Sequence, residues 1–210
     1  MANKKIFEIG CDISRWNGNV DFKKLKDQGL SFVILKAGGS DKGFYKDHKF
    51  DDNYRLARLA GLKVGAYYFV GPKFISKADG IEDAKRFRHI ITGKEFDYPV
   101  AVDIETTDPA FKIGATDASI AFCEFMESYN YYISIYASEI SGFKERLEFE
   151  RLSKFDKWVA KYGTKKPEIP CGIWQYSSKG IFDGTNGYLD LDKSYVDYAS
   201  IMKTKNLNRG

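Results

Sequence analysis

Two carboxylic acids stand close together near the middle of the chain, where Asp103 and Glu105 follow an apolar run that begins at Tyr98. The run is typical of a short buried strand, and residues two apart on a strand point the same way. Two carboxyl groups on one face repel each other, which favours one neutral acid and one anion near neutral pH. Glycoside hydrolysis uses such a pair, one carboxyl to protonate the leaving oxygen and one carboxylate to stabilise the positive sugar carbon. A metal site or a solvated strand end would carry the same pattern.

The composition indicates one globular domain. Of the 210 residues, 43% are hydrophobic and 16% are aromatic, which is ample for a core. The net charge is +4, and no run of Lys and Arg is long enough to indicate nucleic-acid binding. No stretch is long and apolar enough to span a membrane, and no apolar segment follows Met1–Lys5. We therefore expect neither membrane insertion nor a signal peptide.

The residues that commonly bind metals or attack as nucleophiles are few. The chain has three cysteines without a CxxC pair and two histidines without a second ligand at useful spacing. A zinc site or a Cys–His nucleophile pair is therefore poorly supported. We expect no metal, no cofactor and three reduced thiols.

The spacing of apolar residues predicts five strand–helix units followed by three short strands with little or no helix between them. Such an order is typical of an α/β fold, a TIM-like irregular barrel whose first part is parallel and whose last part turns back. The predicted strands are 6–13, 31–37, 63–70, 98–106, 132–137, 157–162, 172–177 and 187–191. The predicted helices are 21–28, 47–60, 76–91, 117–129, 139–147 and 195–203.

Polar and aromatic residues gather at the predicted strand ends, where barrels of this kind carry their chemistry. Asp12 ends the first strand and Asp190 lies on the last, and aspartate is disfavoured in strands and costly to bury without a partner. We expect these two acids to meet Asp103 and Glu105 at one barrel mouth. The other residues at these ends are Tyr67, Tyr68, Tyr136, Trp174, Gln175 and Tyr176.

Several short motifs occur in an order that resembles the muramidases of glycoside hydrolase family 25, the lysozymes of many phage endolysins and bacterial autolysins. The resemblance runs from about Gly10 to Asp192. Its motifs are G-x-D-x-S-x-W-x-G at 10–18, K-A at 36–37, Y-x-D-x-x-F-x-x-N at 45–53, G-x-Y at 65–67, D-x-E at 103–105, W-x-A-x-Y at 158–162, W-Q-Y at 174–176 and G-x-x-D-x-D at 187–192.

The resemblance implies a hydrolase that cleaves the β-1,4 bond from N-acetylmuramic acid to N-acetylglucosamine in peptidoglycan. It implies that Glu105 is the general acid, while Asp103 stabilises the oxocarbenium ion or orients the substrate's acetamide. It also implies that Asp12 and Asp190 hold the hydrogen bonds of the site. Closely spaced carboxyl groups favour retention of configuration. The residues expected to contact substrate are Tyr67, Tyr68, Tyr136, Trp174, Gln175, Tyr176 and Lys36.

The chain departs from the family pattern at two positions. Gly39 replaces the glutamate of the family's K-A-T-E-G motif, and Tyr68 replaces the histidine of G-x-Y-H-F. A barrel that only binds glycans is therefore one alternative, which the intact central acids oppose. A chitinase-like hydrolase is another, but its longer D-x-x-D-x-D-x-E motif is absent before Asp103.

The resemblance also sets expectations about context. We expect one catalytic barrel domain over residues 1–210 without a wall-binding module, and peptidoglycan as the partner. A phage endolysin of this type would be made in the cytoplasm of the bacterial host and reach the cell wall through a holin. The sequence carries no signal for an oligomeric state.

Overall fold

The computed structural model describes residues 5–210 and contains a closed barrel of eight strands. The expectation about a signal peptide concerns the first residues, of which 1–4 lie outside the described part. The strands are β1 Glu8–Ile13, β2 Phe32–Gly39, β3 Tyr45–Lys46, β4 Lys63–Phe69, β5 Val100–Asp103, β6 Ile133–Ser138, β7 Asp156–Ala160, β8 Ile173–Gly180 and β9 Leu189–Ser194. The α-helices are α1 Phe22–Asp27, α2 Phe50–Leu59, α3 Lys77–Ile91, α4 Lys112–Glu127 and α5 Tyr198–Lys205.

The barrel is parallel except at its closing strand. Strands β1, β2, β4, β5, β6, β7 and β8 pair in parallel in that order. Strand β9 runs antiparallel to both β8 and β1 and thereby closes the ring. The two-residue β3 is an antiparallel extension of β2 and lies outside the ring. The predicted α/β barrel is confirmed, although only one strand turns back.

The helices cover the outer face of the barrel. Helix α3 begins at the N-cap Ser76, whose hydroxyl accepts a hydrogen bond from the Asp79 amide. Helices α3 and α4 pack so closely that a Cβ at Gly80 would lie 2.1 Å from the carbonyl oxygen of Ala118. Helix α4 begins at Lys112, five residues before the predicted start at 117, and the predicted helix 139–147 is a π-helical turn over Glu139–Lys144.

Alternation along the strands divides the core into two layers. Side chains that point inward fill the barrel, and the rings of Phe32 and Tyr98 stack there with centroids 4.1 Å apart. Side chains that point outward pack against the helices. The barrel is thus a packed core, as in other parallel barrels, and a ligand can enter only at an end.

Two further expectations concern the described residues. Between residues 5 and 210, no helix has both the length and the apolar character to cross a membrane. All three cysteines are buried, and none forms a disulfide. Burial raises the pKa of the Cys11 and Cys123 thiols well above the ordinary value.

Candidate active site

The acids predicted from the sequence meet at one end of the barrel. Asp12 and Asp190 are directly opposite each other, because the start of β9 pairs with the end of β1. Asp103 is the last residue of β5 and is paired with Tyr136 of β6. The charge of Glu105 raises the pKa of both Asp103 and Asp190, which indicates that these groups share the same end of the barrel.

Asp103 is the buried member of the D-x-E pair. Its residue is only 4% exposed, and its Oδ1 atom has no hydrogen-bond partner among the described residues. Burial raises the pKa of the Asp103 carboxyl well above the ordinary range, and the charge of Glu105 raises it further, while Lys36 opposes the shift. An acceptor oxygen at this depth is available to a bound ligand.

Glu105 lies beyond the end of β5, not within a strand that continues to residue 106. The Ile104 amide still donates to the Tyr136 carbonyl at 3.0 Å, and the Ile104 side chain packs in the outer core. The hydroxyl of Thr106 donates to the Val70 carbonyl at 2.9 Å. Both neighbours therefore anchor the backbone, while the Glu105 side chain is exposed at the mouth.

Gln175 fixes the position of Asp12. Its Nε2 atom donates to Asp12 Oδ2 at 2.7 Å, and its Oε1 atom accepts from the Tyr136 hydroxyl at 2.9 Å. The same Oε1 accepts from the Tyr162 hydroxyl at 2.5 Å. The network orients the amide so that its donor faces Asp12. The sequence motif W-x-A-x-Y contained Tyr162, but our list of site residues missed it.

Asp192 is a second residue that sequence reasoning missed. It is fully buried, its Oδ1 accepts from Trp158 Nε1 at 2.7 Å, and it shares a hydrogen-bonding contact with Asp12. Burial and then the charge of Asp190 raise the pKa of Asp192 to about 8. Burial also raises the pKa of Asp12. Burial therefore favours the neutral form of both carboxyls, and a proton on either one can bridge the pair. Residues two apart on a strand point the same way, so the position of Asp190 would have indicated Asp192.

Aromatic rings form the wall below the acids. The ring of Trp158 contacts Tyr136 and Tyr67 edge-to-face, with centroids 4.5 and 5.9 Å apart. The Lys36 ammonium lies 4.1 Å from the centroid of the Phe69 ring, and burial lowers the pKa of Lys36. Tyr67, Tyr136 and Lys36 thus lie beside the acids, where we expected substrate contacts.

Three aromatic residues predicted to contact substrate lie on the other face of their strands. Tyr68 packs against Phe87 and Phe122, and its hydroxyl donates to Asp83 Oδ1 at 3.3 Å. Trp174 packs in the outer core and donates from Nε1 to the Lys161 carbonyl. Tyr176 lies beside Trp174, and the Lys193 ammonium is over both rings. The structure therefore does not bring Tyr68, Trp174 and Tyr176 to the mouth with the acids, because inward residues alternate with outward ones.

Gly39 is enclosed by its neighbours. A Cβ at this position would lie 2.5 Å from the Phe69 carbonyl oxygen and 2.8 Å from the Tyr45 hydroxyl. The β2 strand also has an irregular register between Lys36 and Gly38. A glutamate side chain at residue 39 has no room in this backbone.

The acids do not form a metal centre. Across residues 5–210, no group of three or more His, Cys, Asp or Glu side chains is arranged to hold a metal ion. The arrangement is instead a buried carboxyl, an exposed carboxyl two residues later and a wall of aromatic rings at the mouth of a barrel. It has the components of the site of a glycoside hydrolase, which needs a proton donor beside a carboxylate.

The chain belongs to the glycosyl hydrolases family 25, because the model of that family matches residues 11–185. This match confirms the resemblance drawn from the sequence motifs. The structure of the matched segment includes β1 through β8 and therefore Asp12, Asp103 and Glu105. Asp190 and Asp192 lie just beyond it, on the strand that closes the barrel.

Similar proteins, and similar proteins of solved structure, carry the names lysozyme and endolysin. The autolytic lysozyme of Clostridium acetobutylicum is 29% identical over 191 residues, which cover 88% of this chain and 55% of that protein. The chain thus spans little more than half of that relative. The CTP1L endolysin structure is 28% identical with a TM-score of 0.80, covering 94% of this chain and 70% of that chain. A bacterial lysozyme of Streptomyces coelicolor is 25% identical with a TM-score of 0.75, covering 97% of this chain and 98% of that chain.

Proposed function

We propose that this protein is an N-acetylmuramidase, or lysozyme, that hydrolyses the β-1,4 bond from N-acetylmuramic acid to N-acetylglucosamine in bacterial peptidoglycan. The observation that carries the proposal is the meeting of four acids at one end of a family 25 barrel, namely Asp12, Asp103, Glu105 and Asp190. Relatives named lysozyme and endolysin support it.

Glu105 is the proposed proton donor. Its side chain is exposed at the mouth, and the backbone on either side is anchored by hydrogen bonds to β6 and to the Val70 carbonyl. An exposed carboxyl on a fixed backbone can approach the glycosidic oxygen of a bound chain. Protonation of that oxygen lets the bond to the anomeric carbon break.

Asp103 is the proposed anion beneath the reacting sugar. Its buried carboxylate either stabilises the positive anomeric carbon directly or orients the acetamide of the substrate as the nucleophile. Both roles use the ionised form, which the raised pKa of Asp103 restricts to the higher part of the pH range. Once ionised, the buried charge is screened by little water. The short spacing of the pair leaves little room for an attacking water, which favours retention.

Asp12 and Asp190 hold the hydrogen bonds of the site in this proposal, and Gln175 and Asp192 position Asp12. We further propose that residues 1–210 act as one catalytic domain. As an endolysin, the protein would be made in the cytoplasm of a bacterial host and reach the cell wall through a holin.

The test is digestion of purified peptidoglycan, with each new reducing end identified by borohydride reduction and mass spectrometry. The wild-type protein should release N-acetylmuramic acid at the reducing end. Glu105→Gln keeps the shape and removes the proton, so turnover should fall by about 10²-fold or more. Glu145→Gln, which changes an exposed glutamate elsewhere, is the matched control.

Three results would contradict the proposal. Release of N-acetylglucosamine at the new reducing ends would mean that the other glycosidic bond is cut. Near wild-type turnover by Glu105→Gln would mean that another group donates the proton. Wall binding without any new reducing ends would favour a barrel that only binds glycans.

A further inference from the structure

A row of alternating cations and aromatic rings leads outward from the buried acids. We name it the cation–aromatic strip and define it as Trp16, Arg15, Tyr45 and Lys36. The Arg15 guanidinium lies 5.0 Å from the ring centroid of Trp16 and 4.9 Å from that of Tyr45. The Lys36 ammonium lies 5.9 Å from the Tyr45 centroid.

The strip starts at the site and ends at the surface. The charge of Asp103 acts on the pKa of Lys36, so the inner end of the strip faces the buried acid. Arg15 follows the end of β1, three residues after Asp12, and Tyr45 pairs with Gly39 at the end of β2. At the outer end, Trp16 is 76% exposed. The strip therefore extends the mouth in one direction.

The cations of the strip form no close ion pair among residues 5–210, although the charges of Asp103, Asp41 and Asp47 act on Lys36. Neither Arg15 nor Lys36 takes part in an ion pair within that range. The nearby carboxylate of Asp47 is buried and accepts the backbone amides of Arg15 and Lys49 at 3.1 and 2.9 Å. Asp47 thus fixes the loop, while the guanidinium is held between two rings.

The position of the Arg15 guanidinium suits the binding of an anion. Its planar donors match the two oxygens of a carboxylate, and its stacking reduces the conformational freedom that binding would otherwise remove. An exposed indole beside it offers a flat apolar face, on which the C–H face of a sugar ring can lie. Together they suit a ligand that carries a carboxylate next to a sugar.

We propose that the cation–aromatic strip is a substrate subsite that binds a carboxylate attached to the glycan, with Arg15 contacting the carboxylate and Trp16 contacting an adjacent sugar ring. The inference rests on the proposed function, since peptidoglycan supplies such groups. The carboxylate can be the lactyl group of a muramic residue without peptide, or a carboxylate of the stem peptide attached to it. A neutral N-acetylglucosamine oligomer has neither.

Tryptophan fluorescence can report binding without relying on turnover. Trp16 is the exposed tryptophan, whereas Trp158 and Trp174 are 1% and 3% exposed. A ligand that covers Trp16 should therefore change its emission, and Trp16→Phe should remove that change. Three probes are titrated: di-N-acetylchitobiose, the N-acetylglucosamine–N-acetylmuramic acid disaccharide, and the same disaccharide with its stem peptide.

The matched variants are Arg15→Gln and Arg88→Gln. Arg88 also stacks on a ring, that of Tyr129 at 3.8 Å, but lies on the outer helix α3 away from the mouth. Arg15→Gln should weaken binding of an acidic probe about 10- to 100-fold, the effect expected for a charge-assisted hydrogen bond, and leave chitobiose binding unchanged. Arg15→Lys should recover part of the loss, because it retains the charge without the planar pair of donors.

The two acidic probes identify the source of the carboxylate. Selective weakening of the peptide-free disaccharide assigns the lactyl group, and selective weakening of the peptide-bearing probe assigns the stem. The subsite proposal would be overturned if Arg15→Gln weakened binding of chitobiose as much as binding of the acidic probes, or if it weakened binding of none of them. It would also be overturned if the wild-type protein did not bind the acidic probes more tightly than chitobiose. If the wild-type protein still releases muramic reducing ends in any of those cases, the proposed function stands and only the subsite fails.

Discussion

Replacing Asp192 by asparagine should remove a strong pH dependence from the stability of this protein. The carboxyl of Asp192 is fully buried, accepts the Trp158 indole N–H and contacts Asp12. Asparagine has nearly the same shape, and its amide can accept from Trp158 and donate to Asp12. Since the neutral acid and the amide make the same contacts, the two proteins should be about equally stable below about pH 4, where Asp192 is neutral in both the folded and the unfolded chain.

The difference in stability between Asp192→Asn and the wild-type protein should grow as the pH rises. The folded pKa of Asp192 is about 8, raised above an ordinary aspartate value of 3.8. A group whose pKa is raised on folding contributes stability that is fully present below the unfolded pKa and is lost as the pH rises through the folded pKa. The loss is about 1.4 kcal/mol per pH unit across this window, or about 4 kcal/mol between pH 5 and pH 8.

Thermal unfolding at several pH values provides the measurement. For a chain of this size, about 4 kcal/mol corresponds to a change in Tm of about 8–16 °C. The advantage in Tm of Asp192→Asn over the wild-type protein should therefore grow by about that amount from pH 5 to pH 8. The charge of Asp192 also raises the pKa of Asp12, so the variant removes that contribution too, and this effect acts in the same direction. Asp27→Asn, at an exposed position on α1, is the control that should leave the pH dependence unchanged.

The reasoning would be refuted if Asp192→Asn and the wild-type protein lost stability in parallel from pH 5 to pH 8. That result would mean that Asp192 is already ionised in the folded protein at pH 5. The bridge to Asp12 would then require a proton on Asp12 instead.

Two further predictions concern the mouth of the barrel. Asp103→Asn should lower kcat by about 10²-fold, because the charge opposite the positive sugar carbon is lost. Burial raises the pKa of Asp103, so the kcat of the wild-type protein should begin to fall on acidification at a pH above the ordinary aspartate range. This acidic limb of the pH profile should be absent in Asp103→Asn. An unchanged acidic limb would assign it to another group. Gly39→Ala should destabilise the protein by about 1–3 kcal/mol in urea unfolding, because its Cβ meets the Phe69 carbonyl; unchanged stability would mean that the β2–β4 backbone yields freely.

The repeating strand–helix pattern was sufficient to predict the barrel and the strand ends that carry the acids. It could not predict that β9 alone would run antiparallel, because the residues of a short apolar strand do not indicate the direction in which it runs. The end of β5 also escaped prediction. The residues up to Thr106 have the apolar and polar alternation of a strand, but the pairing with β4 and β6 stops at Asp103.

The expected contact residues that lie away from the mouth have a single cause for their position. Tyr67 and Tyr68 are adjacent on β4, and Trp174, Gln175 and Tyr176 are adjacent on β8. Neighbours on a strand point to opposite faces, so each run can offer only alternate side chains to the mouth. The same rule, applied from Asp190, would have added Asp192 to the site. Tyr162 follows the end of β7, where no strand alternation applies.

The antiparallel closure has a consequence for the order in which the molecule acquires its activity. The contact from Gln175 to Asp12 joins residues 163 positions apart, and β9 supplies the last strand beside β1. Contacts so distant in sequence form late, because the chain must first be brought together at an entropic cost. During synthesis, β1 therefore exposes an unpaired edge and Asp12 lacks its neighbours until the final strand emerges. Ribosome-bound chains thus lack the complete cluster of acids, and the interval before closure is when the protein is most exposed to aggregation.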